Sequence, residues 1–128
     1  MAYSANQNQL RKHGEAFLNG AGAGKSEAVR SIALWSRLNA ETADYGDTFL
    51  RTRYLRIRFE DLCREPAPTI VRIFEFFDLR GDAEHIGRLE VAPPPTRGRW
   101  RAQAPNVLQE VQRVGQAALE RFGYEPEG

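Results

Sequence analysis

Apolar residues recur at helical spacing in three stretches of the chain and at strand spacing in one. Val29, Ile32, Ala33 and Trp35 open a stripe with the steps of an amphipathic helix. Ser26 suits the N-cap, because its hydroxyl can accept an orphaned amide of the first turn, and Glu27 places a carboxylate at the positive end of the helix dipole. This helix is expected to run to about Asp44 and to stop at Tyr45-Gly46. Pro66 suits the first turn of a second helix, in which Ile70, Val71, Ile73, Phe74 and Phe77 recur at helical intervals and are expected to form core, until Gly81 closes the segment. A third begins at Pro105, carries Val107, Val111, Val114, Ala118 and Phe122 on one face, and stops at Gly123. Shorter helices are compatible with Gln9 to Leu18 and with Ala83 to Leu89.

Between the first two helices the period falls to two. Leu55, Ile57 and Phe59 alternate with Tyr54, Arg56 and Arg58, which predicts a strand with one polar side, at an edge or facing a cleft. It ends in the acidic corner Glu60-Asp61. A lone strand cannot satisfy its own backbone edges, so its partners are expected in segments not recognised here or outside the chain. The visible pattern is therefore mostly helical with one clear strand. Residues 1 to 25 are polar and weakly patterned, which predicts a flexible or weakly helical segment, and Val91-Ala92-Pro93-Pro94-Pro95 is stiff and delivers Thr96 to Arg101 as an ordered loop.

At 128 residues and 41% hydrophobic composition the chain fits one domain able to hold a core. No window approaches the ~20 apolar residues of a membrane span, and the first residues lack the apolar run of a signal peptide, so a cytoplasmic protein with no membrane span is expected. Cys63 has no partner for an internal disulfide and, with only His13 and His85 beside it, assembles no metal-ligand cluster, so no metal is expected. A net charge of +1 argues against nucleic acid as a partner. Sixteen of the eighteen basic residues are arginine, and the windows Arg51 to Arg58 and Val91 to Ala104 hold four and three of them with no acid. The planar guanidinium grips phosphate and sulfate oxygens in pairs.

Three places could carry chemistry. Gly20-Ala21-Gly22-Ala23-Gly24-Lys25-Ser26 has the composition of a phosphate loop, yet Asn19 stands where the first glycine belongs and no apolar strand precedes it, so a linker is expected. Glu60 and Asp61 could serve as acid or base; the structural alternative has Asp61 accepting backbone amides of Leu62-Cys63-Arg64 and Glu60 pairing with Arg58 or Arg64. Around Gly98, which lets backbone amides approach an anion closely, stand Arg97, Arg99 and Arg101, while Trp100 is expected to pin the loop inward rather than to stack on a base.

The run Tyr54 to Pro66, the helix end Ile73-Phe74-Glu75-Phe76-Phe77-Asp78-Leu79, the segment Gly98-Arg99-Trp100-Arg101 and the closing Phe122-Gly123-Tyr124-Glu125 together resemble the C-terminal half of the sulfotransferase family. Ala33-Leu34-Trp35 with Asn39 is similar to the helix that precedes this strand in bacterial members, so the resemblance covers about residues 28 to 125, and residues 26 to 125 are expected to form the C-terminal part of such a domain. The resemblance implies an α/β fold with a central parallel sheet, and 3′-phosphoadenosine 5′-phosphosulfate as donor of a sulfuryl group to an acceptor it does not identify. It assigns Phe59 to the adenine, where a tyrosine is usual, and Arg97, Gly98, Arg99 and Arg101 to the 3′-phosphate. The family's phosphosulfate-binding loop is not recognisable in the sequence, nor is a catalytic base, so the chain is expected to be incomplete or inactive by itself. The alternative is a non-enzymatic helical module whose strand edge and apolar faces meet a partner chain or a second copy of itself.

Overall fold

A computed structural model describes residues 7–20, 22–92 and 99–124. Helices take 77% of these residues, and no strand is present among them. The expected α/β fold with its parallel sheet is thereby corrected to a mostly helical one. The predicted strand is a connection without regular secondary structure. Backbone angles are extended at Tyr54 (φ −120°, ψ 124°) and at Arg58 (φ −84°, ψ 129°), but no ladder forms between them. The alternation does not carry into burial, since Tyr54 and Arg58 are half-buried like Leu55 and Ile57 while Phe59 is exposed, and a strand needs a second backbone beside it.

The chain divides into two units. One contains α1 (Gln7–Leu18), α2 (Glu27–Tyr45) and α6 (Pro105–Arg121). Helix α2 begins where the Ser26 hydroxyl accepts the Val29 amide at 3.4 Å, and it has neighbours on two sides. Leu34 packs with Leu10 and Leu18 of α1, and Ala43 packs with Ala118 and Phe122 at the end of α6. The approach to α6 is close at Gly115, where a Cβ would stand 2.5 Å from Ile32 Cγ1. Only glycine lets the two helices meet at this spacing. Arg37 of α2 donates to the Phe17 carbonyl at the end of α1 and pairs with Glu41 at 2.8 Å.

The other unit spans residues 46–95. A π turn (Gly46–Leu50) and a 3₁₀ turn (Arg51–Arg53) precede this connection, which feeds α3 (Phe59–Arg64), α4 (Pro66–Phe77) and α5 (Ala83–Glu90). Pro66 supplies the preset φ at the start of α4, and Asp82 caps α5 by accepting the His85 amide at 2.9 Å. Helix α4 packs on α3 and α5. Its expected core is corrected in part: Ile70 is buried and Ile73 and Phe74 are half-buried, but Val71 and Phe77 are exposed. The hydrophobic period identifies the apolar face of a helix, and α3 and α5, six and eight residues long, cover part of it.

Candidate functional site

The arginine-rich corner around Asp61 is built by local spacing. Residues three apart on a helix share a face, so Arg58, Asp61 and Arg64 converge. Arg64 Nη2 donates to Asp61 Oδ1 at 2.9 Å, while Arg58 Nε lies 3.7 Å from Asp61 Oδ2, an ion pair too long for a hydrogen bond. The Arg58 Nε atom is buried without a hydrogen bond. Asp61 thus works as the structural carboxylate of the turn, through arginine side chains rather than through the amides of residues 62 to 64.

Phe59, expected at a strand end, is the first residue of α3 and is 51% exposed. Arg101 is exposed, in the 3₁₀ turn Arg99–Ala102 that leads to α6. Arg97 and Gly98, and the side chains of Arg99 and Trp100, lie outside what the structure describes. Phe59 belongs to the 46–95 unit and Arg101 to the other. Cys63 is a free, half-buried thiol on α3.

The glycine-rich segment forms successive turns. Asn19, Gly20, Gly22 and Gly24 all take positive φ, and the Ala23 and Lys25 amides bond to the Gly20 and Gly22 carbonyls at 3.1 and 2.9 Å. Amides closed on their own loop do not present the cradle that a phosphate requires. The lysine is also engaged, with Nζ 2.7 Å from Glu110 Oε1. That hydrogen bond, aided by the charges of Lys25 and Arg113, holds the Glu110 carboxyl below the ordinary glutamate range against an opposing desolvation. Beside the loop lies a hollow of about 210 Å³ lined by Gly14, Glu15, Leu18, Gly20, Ala23 and Arg30. Its two charged lining residues are of opposite sign.

Two segments far apart in sequence meet at Trp35. Its indole makes edge-on contacts with Phe122, at 5.7 Å between ring centroids, and with Tyr124, at 5.6 Å. Asn39 secures the same turn by donating to the Trp35 carbonyl at 2.8 Å. Nearby in sequence, Arg121 Nη2 reaches Asp44 Oδ1 at 2.6 Å. No spacing rule foretells this pair or Lys25–Glu110, whereas Arg37–Glu41 and Arg58–Asp61–Arg64 follow from helical periodicity.

Comparison of the chain with protein-family models, curated proteins and solved structures finds no match. Among the described residues no group of three or more His, Cys, Asp or Glu side chains could hold a metal ion, and no helix is long and apolar enough to cross a membrane.

Proposed function

We propose that this chain is a cytoplasmic sulfotransferase-family polypeptide that contributes residues for the 3′-phosphate of 3′-phosphoadenosine 5′-phosphosulfate, and that these residues do not transfer sulfuryl groups unaided. The observation that carries the reading is the Trp35 cluster. It unites the segment around Trp35 and Asn39 with Phe122 and Tyr124, two widely separated parts of the sequence resemblance, in one packed unit. Arg97, Arg99 and Arg101 would offer guanidiniums to the 3′-phosphate. Catalysis by in-line transfer depends on donors clamped around the moving group, and removing even one such donor typically costs ~10²–10³ in rate. A chain without a phosphosulfate loop is expected to bind and not to turn over.

The test is calorimetric titration with 3′-phosphoadenosine 5′-phosphate. Weak saturable binding, abolished in the Arg97→Ala/Arg99→Ala variant, is the expected result. Absence of binding at millimolar nucleotide overturns the reading.

A second reading, a helical interaction module, is favoured by the large apolar side chains that the 46–95 unit leaves exposed: Phe49 at 66%, Phe77 at 63%, Leu79 at 55% and Leu89 at 66%. Light scattering that reports complex formation indifferent to nucleotide supports it.

A further inference from the structure

Gly14 sits in the interior of α1, where glycine forms helix less readily than any residue but proline. Its φ is not positive, so no turn demands it there. A Cβ at this position would stand 2.9 Å from Leu10 Cδ1 and 3.9 Å from Arg30 Nη2. At the other end of the same arginine, a Cβ on Gly22 would stand 3.2 Å from Arg30 Cγ. The Arg30 side chain thus passes the loop glycine with its stem and reaches the helix glycine with its head. Together Arg30 and Gly14 line the hollow of about 210 Å³, whose other walls are Glu15, Leu18, Gly20 and Ala23.

The charges of this hollow are unanswered. Arg30 is half-buried, and among the described residues neither its guanidinium nor the Glu15 carboxylate has a hydrogen bond or an ion pair. Elsewhere in the same unit Lys25, Arg37 and Arg121 hold carboxylates at 2.7, 2.8 and 2.6 Å. A charge partly withdrawn from water is costly to leave without a partner, and the guanidinium fork matches a carboxylate. A plain anion would gain from Arg30 and be repelled by Glu15, whereas a guest carrying both signs gains from both. Pockets for drug-sized ligands run to about 300–1,000 Å³, so the guest here is smaller. We propose that the hollow is a binding site for a free α-amino acid with a small aliphatic side chain. Its carboxylate meets Arg30, its ammonium meets Glu15, and its side chain lies against Leu18 and Ala23. The site belongs wholly to the α1–α2–α6 unit and is independent of nucleotide binding.

The probe is L-alanine, titrated into the isotope-labelled full chain and followed by NMR at the Gly14, Gly20 and Ala23 amides and at the Arg30 Nε–H. Propionate, which lacks the ammonium, ethylamine, which lacks the carboxylate, and inorganic phosphate serve as comparators. Alanine is expected to shift these signals saturably, and each comparator to bind roughly tenfold or more weakly, the scale of one charge-assisted hydrogen bond. Arg30→Gln should abolish the alanine response while the remaining amide spectrum is unchanged. Arg30→Lys keeps the charge without the fork and should restore part of it. Glu15→Gln should reduce alanine to the affinity of propionate and leave propionate no weaker than before. Three results overturn the proposal: no saturable shift at millimolar alanine, propionate or phosphate binding as tightly as alanine, or a shift at Arg30 Nε–H on Glu15→Gln, before any ligand is added, as large as the one alanine produces. The last would mean that the two side chains answer each other in solution.

Discussion

The α1–α2–α6 unit and the 46–95 unit are both assembled from amphipathic helices, but they treat their large side chains in opposite ways. In the first, Leu10, Leu18, Ile32, Leu34 and Phe122 are all buried. In the second, Ile70 and Ala83 are the buried apolar side chains among the described residues, and Phe49, Phe59, Val71, Phe77, Leu79 and Leu89 stand exposed. The amphipathic pattern does not separate them. What differs is coverage: α2 runs for 19 residues with neighbours on two sides, while α4 runs for 12 against two shorter helices. Burying a leucine or phenylalanine contributes roughly 1.5–3 kcal/mol, so the first unit gains from its large side chains a stabilisation that the second leaves largely unrealised.

Leu34→Ala gives the hardest test of this contrast. With Leu34 1% exposed, truncation should cost about 2–5 kcal/mol in chemical denaturation, whereas Phe77→Ala should fall within about 0.5 kcal/mol. Comparable losses for both would erase the distinction between the units. Gly115→Val should cost about 1–3 kcal/mol by forcing a side chain into Ile32, and hydrogen exchange across α2 and α6 should quicken. Within the second unit, Asp82→Ala removes the cap of α5 and should cost about 1 kcal/mol, read most directly as faster exchange at the His85 amide. The smallest effect concerns Lys25–Glu110. Because the folded-state pKa of Glu110 is lowered, its contribution is present above the ordinary glutamate value and is lost as pH falls through the folded one. Glu110→Gln should therefore lower the melting temperature slightly at neutral pH and not at all in acid; a loss that persists in acid refutes the ion-pair account.

Much of the helical frame was legible from punctuation. Ser26 and Gly46, Pro66, and Pro105 with Gly123 bracket α2, α4 and α6 to within a residue or a few of their observed limits. Two expectations failed for one shared reason. Alternation at Tyr54 to Phe59 and helical periodicity at Ile70 to Phe77 both specify which side a residue takes, and neither specifies what lies opposite. At the acidic corner the expectation set Asp61 on the amides of residues 62 to 64, whereas Asp61 pairs with Arg58 and Arg64, because a helix beginning at Phe59 spaces the three residues on one face. The Trp35, Phe122 and Tyr124 cluster left only three aromatics scattered along the sequence, and the turns of the glycine-rich segment become apparent only from its backbone angles.

The bond from Arg37 to the Phe17 carbonyl fastens α1 to α2 independently of the residues that join them in sequence. With the docking of these helices assured by side chains, lengthening the joining loop costs only slowly growing closure entropy. The stretch from Asn19 to Gly24 is accordingly a permissive graft point, where a foreign epitope or a fluorescent reporter can be spliced in without unseating either helix.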